Sequence, residues 1–332
     1  NIRYQYAQTL YKSGKTDDAI TEFKNIQEKF PNSDYAEVSL YTIGWIYFQK
    51  KQYTQSIAQY NSVIKKYPKT KLEPIIYYSI GDAQFNMEKY DSAIVNYEKV
   101  ISQFPSSQYV FDAVNGIQYS YVAKGTPEKA ISFLNEFVSK NPSLSYADQL
   151  FFKKGEIYYS LRNYDKAKTE YKNFTSAYQN SKLVPDAYYW IGKSAQNLGQ
   201  TDEAIFNFDK VFNTYKTSEL ASASVLEMGT IYRAQQKYDN AINIYNSGIS
   251  DLKKSNKIPE LKYNKGMTFL EMNKFQEAYA SFQEVVAYHP QSVFSDKSKF
   301  ELAVIDIVAK RFSNADEFLT KLSENRTDEL GA

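Results

Sequence analysis

The chain has one histidine, His289, and this is the first place to look for chemistry. Acid–base and nucleophilic catalysis near neutral pH draw on imidazole more than on any other side chain. His289 directly precedes Pro290 and reads as a solvent-facing residue at the end of a helix. Every Ser-His-acid or Cys-His arrangement would have to be built on it. Paired carboxylates come next. Asp17 with Asp18, or Asp202 with Glu203, could be imagined as an acid–base pair. Acids recur at this same place along the chain, however, where compensation of a helix dipole accounts for them. There are no cysteines, so disulfides and thiolate metal sites are excluded. A metal site would have to be all-oxygen, and no dense acidic loop of calcium-binding type is present. Half of the 12 glycines fall at one recurring place, and none forms a phosphate-cradling loop. These residues predict no catalytic site, no metal and no cofactor.

The totals point the same way. The 332 residues carry a net charge of only +2, without a long like-charge block, so nucleic acid is not an expected partner. No stretch approaches the length of apolar residues needed for a membrane span. No signal peptide is visible, but the chain opens at Asn1-Ile2-Arg3-Tyr4 already inside a helical pattern and reads as an excerpt. The unusual quantity is the aromatic content of 16%, with 31 tyrosines. Tyrosine combines large contact area with a polar tip, which suits half-buried or binding surfaces.

A strict period positions these residues. A small residue falls at Ala19, Ser56, Ala93, Ala130, Ala167, Ala204, Ala241, Ala278 and Ala315, with every gap 37 residues. Twelve residues earlier stand Gly44, Gly81, Gly155, Gly192, Gly229 and Gly266, with Ala7 and Ala303 at the ends and Gln118 as the exception. Four residues after the small anchor come Phe23, Tyr60, Tyr97, Leu134, Tyr171, Phe208, Tyr245, Phe282 and Leu319. Pro31, Pro68, Pro105, Pro142 and Pro290 close the period. A helical hairpin explains each place. Gly and Ala let two helix axes approach, the aromatic one turn on fills the space beside the crossing, and proline ends the second helix. Ser33, Thr70, Ser107, Ser181, Ser218, Ser255 and Ser292 are expected to cap the first helix of the next period. Asp17, Asp91, Glu128, Asp165, Asp202 and Asp239 suit the positive end of the second helix.

This pattern resembles the tetratricopeptide repeat, with Tyr47, Tyr158 and Tyr232 matching its helix A aromatic. The resemblance covers essentially all of residues 1–323. It implies an all-α fold, a right-handed α-α superhelical solenoid of nine helical hairpins. The repeats fall at about 1–36, 37–73, 74–110, 111–147, 148–184, 185–221, 222–258, 259–295 and 296–332, within a single solenoid. The repeat is three residues longer than the usual 34, which predicts a helix A longer by about one turn. Segments such as Phe30-Pro31-Asn32-Ser33-Asp34-Tyr35-Ala36 resemble those of bacterial cell-envelope members of the family, among them the outer-membrane assembly lipoprotein and the periplasmic TolA-binding protein.

The resemblance also implies that helix A lines a concave face. The stripe beside the packed one, at spacing i, i+4 and i+7, is then the candidate partner-binding groove. It gives Tyr41, Trp45 and Phe48 in the second repeat; Tyr78, Asp82 and Phe85 in the third; Asn115, Tyr119 and Val122 in the fourth; Phe152, Glu156 and Tyr159 in the fifth; and Tyr189, Lys193 and Gln196 in the sixth. The candidate groove residues are the aromatics Tyr41, Trp45, Phe48, Tyr78, Phe85, Tyr119, Phe152, Tyr159 and Tyr189. Two readings stand side by side. Either the first and last members of each triplet pack against the neighbouring helix A, or the aromatics anchor an extended or helical peptide. Trp45 is the best single choice, because the middle place elsewhere varies freely among Gln, Asp, Glu, Lys and Thr. Family members that grip carboxylate tails use Lys and Asn at these places. Aromatics and acids here argue against such a clamp.

The last helix A, with Leu302, Val304, Ile305, Ile307 and Val308, is the most apolar, so further repeats, a partner or a second copy is expected to cover it. The expected function is a non-enzymatic protein-interaction scaffold of the bacterial cell envelope, in the periplasm, with a protein or peptide partner. A cytoplasmic adaptor and a self-assembling solenoid are the alternatives.

Overall fold

A left-handed residue divides each period into two helices, and in five periods a proline follows the second. The computed structural model describes residues 1–324 and contains eighteen α-helices and no strand among them. In chain order the first nine are α1 (Ile2–Lys12), α2 (Thr16–Lys29), α3 (Asp34–Gln49), α4 (Tyr53–Lys66), α5 (Glu73–Asn86), α6 (Tyr90–Gln103), α7 (Val110–Ala123), α8 (Pro127–Lys140) and α9 (Ala147–Ser160). The rest are α10 (Tyr164–Ala177), α11 (Val184–Asn197), α12 (Thr201–Thr214), α13 (Leu220–Ala234), α14 (Tyr238–Asp251), α15 (Ile258–Glu271), α16 (Phe275–Tyr288), α17 (Val293–Val308) and α18 (Phe312–Glu324). Odd-numbered helices are the A helices and even-numbered ones the B helices. The chain is thus an all-α helical-repeat protein.

The turn from A to B needs one residue in the left-handed region, and it recurs with the period. Gly14, Gly125 and Gly199 have φ of 82°, 80° and 73°. Lys51, Glu88, Arg162, Gln236, Asn273 and Lys310 hold φ of 57–59° at the corresponding places. A residue with a Cβ is strained there, and only glycine adopts this conformation freely.

The helix crossing is as close as the glycines imply. A Cβ added at Gly44 would lie 2.6 Å from the Tyr60 ring, one at Gly192 2.7 Å from Phe208, and one at Gly266 2.6 Å from Phe282. The aromatic of helix B therefore covers the bare backbone of helix A. The fourth repeat departs from the rule in both places at once. Gln118 is buried where glycine is expected, and Leu134 stands where the aromatic is expected.

The three additional residues do not lengthen helix A in most repeats. Six A helices, α5, α7, α9, α11, α13 and α15, are 14 or 15 residues long, little different from the B helices. In five of the junctions the serine or threonine hydroxyl accepts from the N–H two residues on: Leu72 to Thr70, Tyr109 to Ser107, Leu183 to Ser181, Leu220 to Ser218 and Lys257 to Ser255. This local bond closes a separate turn ahead of the helix. Only α3 and α17 reach 16 residues, with Ser33 and Ser292 as their N-caps. Of these two, Ser292 accepts from the Phe294 N–H, whereas Ser33 makes no side-chain cap bond.

Two compact units divide the chain, Asn1–Ile157 and a second from Tyr158 onward. Within the first, consecutive helices from α1 to α8 pack on one another, and the A helices also touch in the series α3, α5 and α7. Within the second, consecutive helices from α10 to α18 pack likewise, and α11, α13, α15 and α17 touch in series. In each unit the A helices form a tight row with one shared face.

Candidate functional site

The groups that could have done acid–base chemistry are held in structural roles. His289 is the C-cap residue of α16. Burial and the neighbouring Lys262 charge keep it below its ordinary pKa, so it is neutral at pH 7. Asp17 pairs with Lys50 of the next repeat at 3.4 Å, and Asp91 pairs with Lys124 at 2.5 Å. Glu203 pairs with Lys168 at 2.8 Å and Lys172 at 2.6 Å. Burial raises the Glu203 carboxyl, but the bonds from the two lysines outweigh it and leave it below its ordinary value. Asp17, Asp91 and Glu203 therefore tie one hairpin to the next.

The first aromatic of each stripe is committed twice. Tyr41, Tyr78 and Tyr189 rest on the B-helix aromatics Tyr60, Tyr97 and Phe208, with ring centroids 5.3, 5.8 and 5.5 Å apart. The hydroxyl then reaches the next A helix. Tyr41 Oη meets Ser79 Oγ at 3.3 Å, and Tyr189 Oη donates to Glu227 at 3.3 Å. Tyr4 to Thr42 and Tyr263 to Glu301 repeat the same 38-residue step. Burial and nearby carboxylates raise the Tyr263 hydroxyl to about 12.

The last aromatic of the stripe is also committed to packing. Phe48, Phe85 and Tyr159 each meet, edge-on, the tyrosine that opens the following B helix: Tyr53, Tyr90 and Tyr164, at 5.4, 5.5 and 5.2 Å. Phe152 is 6% exposed and presents nothing to a partner. The middle place differs. Trp45 is 37% exposed and meets the Tyr11 ring edge-on at 5.3 Å, and Tyr119 is 51% exposed. Both lie in the first unit, at the corresponding place on α3 and α7, with Asp82 between them on α5.

In the second unit the part of the row on α11 and α13 is polar and internally satisfied. Glu227 accepts from Lys193 at 2.8 Å, Gln196 at 3.2 Å and Tyr189. Arg233 grips Glu271 through Nε at 3.2 Å and Nη2 at 2.5 Å. Tyr159 and Tyr189 are joined there by Trp190, whose ring lies 4.7 Å from the first and 5.7 Å from the second. Trp190 is not in the stripe and was not expected. Its signal in the sequence is its place next to Tyr189, one residue off the stripe.

A face of A helices in fixed register, carrying exposed aromatics and no assembled catalytic group among the described residues, defines a helical-repeat binding scaffold. Residues 76–107, 149–181, 186–218 and 260–292 match the tetratricopeptide-repeat family, and these four segments are tetratricopeptide repeats. Residues 1–88 match a family described as outer membrane lipoprotein. A tetratricopeptide-repeat-containing protein of Methanocaldococcus jannaschii is 26% identical over 208 residues, 58% of this chain. The chain spans about a third of that relative, 32% of its length. Among solved structures, the C-terminal part of a tetratricopeptide-repeat-containing protein from Cytophaga hutchinsonii is 16% identical with a TM-score of 0.45, covering 89% of this chain and 98% of that one. BtubC from P. vanneervenii is 11% identical with a TM-score of 0.48, covering 59% of this chain and 87% of that one. No helix among the described residues is long and apolar enough to cross a membrane.

Proposed function

We propose that the chain is a non-enzymatic scaffold of the bacterial cell envelope that takes a peptide or partner protein on the A-helix face of its first unit. The observation that carries the binding face is the exposure of Trp45 and Tyr119 in a first-unit row whose other candidate aromatics are tied into packing. Rigid aromatics with one open side supply binding area at little entropic cost. Support for the envelope comes from the outer membrane lipoprotein match, which falls on the same first repeats.

Photo-crosslinking tests the face. A benzophenone side chain at position 45 is expected to trap a discrete partner in cells, whereas the same group at Phe206, 65% exposed on the B helix α12, is not. Trp45→Ala is expected to weaken the captured complex by roughly 2 kcal/mol or more, as loss of a binding hot spot does. Equal capture at both positions, or an unaffected Trp45→Ala complex, would show the face to be wrong. Recovery of the full-length protein with the cytosol instead of the envelope fraction would overturn the location.

A second reading, self-association, is favoured by the last A helix. On α17 Val304, Ile307 and Val308 are 39%, 46% and 68% exposed.

A further inference from the structure

Asp82 is a half-buried carboxylate without a cation. Tyr97 Oη donates to its Oδ1 at 2.7 Å, and the Tyr78 hydroxyl also helps to hold its pKa down. No lysine or arginine lies within ion-pair distance among the described residues, and the nearest charge that acts on it is another carboxylate, Asp112. Every other charge at the middle place of an A helix that the structure describes has a partner. Glu156 pairs with Lys153 at 2.6 Å, and Lys193 with Glu227 at 2.8 Å. A carboxylate withdrawn from water and left unpaired carries a standing desolvation cost, which a cation arriving from outside would relieve. The flanking middle places hold Trp45 on α3 and Tyr119 on α7, and α5 touches both helices.

We propose that the surface carrying Trp45, Asp82 and Tyr119 receives an arginine side chain of a partner protein, its guanidinium paired with the Asp82 carboxylate between two aromatic walls. The inference rests on the peptide-binding reading of this face and adds the chemistry of the occupant. Arginine fits better than an ammonium group. Its planar fork pairs with a carboxylate through two hydrogen bonds and stacks on aromatic faces, and it gives up its water more readily. A partner presenting a carboxylate is disfavoured, because Asp82 and Asp112 would repel it.

The test uses the peptide acetyl-Gly-Leu-Arg-Leu-Gly-amide and its citrulline counterpart, which keeps the shape and removes the charge. Trp45 and Trp190 are the two tryptophans, so a Trp190→Phe background lets Trp45 emission report binding alone. The arginine peptide is expected to give a saturable change and to bind about tenfold more tightly than the citrulline peptide. Asp82→Asn should abolish that preference while leaving the thermal unfolding transition intact, since the amide oxygen still accepts from Tyr97. Tyr119→Ala should weaken the arginine peptide. Equal binding of the two peptides, lost on Trp45→Ala, would overturn the arginine pairing and leave the peptide face in place. An undiminished preference in Asp82→Asn would also overturn the pairing. No saturable binding of either peptide would overturn both readings.

Discussion

Asp82 shows how a single side chain can be a liability for folding and an asset for binding. Burial pushes its carboxyl above the ordinary value, and Asp112 adds to this, while the Tyr97 and Tyr78 hydroxyls pull it down. Tyr41, Tyr60, Tyr78 and Tyr97 also face it, each with its own hydroxyl raised mainly by burial and further by the Asp82 charge. A raised native pKa means that the folded chain holds this proton more tightly than the unfolded chain does. The stability linked to it is therefore complete below the ordinary carboxylate range and is lost as pH rises through the raised value. Asp82→Asn cannot ionise, so it is expected to gain on the parent between pH 4 and pH 7. Denaturant unfolding at those two pH values checks this, and a variant that loses ground over the interval would refute it.

The glycine crossings give a second test at single side chains. Gly192→Ala places a methyl group 2.7 Å from the Phe208 ring. The expected cost is about 1–3 kcal/mol, the usual range for overpacking a well-filled core. Adding Phe208→Leu should return part of it, because the fourth repeat already combines a larger residue, Gln118, with Leu134. A double variant no more stable than the single one in urea denaturation would show that the two places are not coupled.

Between helices, the A-to-B turn carries a cost that the chain removes only in places. Gln236 sits at φ 57° between α13 and α14, where the corresponding position after α11 is Gly199. Gln236→Gly relieves left-handed strain and gives back some unfolded-chain entropy. A net gain of about 0.5–1 kcal/mol is expected, read as a raised urea midpoint. The junction from B to A behaves differently. Serine and threonine close a local turn there, so the extra residues of the 37-residue period add a connector and leave helix length nearly unchanged.

In the molecule as a whole, repeats of this kind bury their apolar faces against neighbours, so an apolar side chain left open on an A helix stands out. Ile307 is 46% exposed on α17. Ile307→Glu is expected to leave folding within about 0.5 kcal/mol, as exposed substitutions do. If self-association runs through this helix, the variant should be monomeric at concentrations where the parent is not, measured by sedimentation velocity. Identical sedimentation of the two proteins would remove the self-association reading.

The period, the helical hairpins and the pairing of glycine with an aromatic were legible in the chain, because each follows from local sterics repeated at a constant spacing. The candidate aromatics were legible as a stripe for the same reason. Their division into packing and open residues was only one of two readings that the spacing allowed, and the spacing could not choose between them. Tyr41 and Trp45 look alike as aromatics one turn apart. The neighbouring A helix brings Ser79 to the Tyr41 hydroxyl, and the Tyr60 ring covers its face. Trp45 keeps one side open. Phe152 and the Tyr159–Trp190 contact were likewise decided by side chains 31 or more residues away or by burial, which no local spacing encodes. Asp82 makes the same point for charge. Its acidity is written in the sequence, but the lack of a compensating cation emerges only when the helices around it are packed and tyrosine hydroxyls and another carboxylate are what surround it.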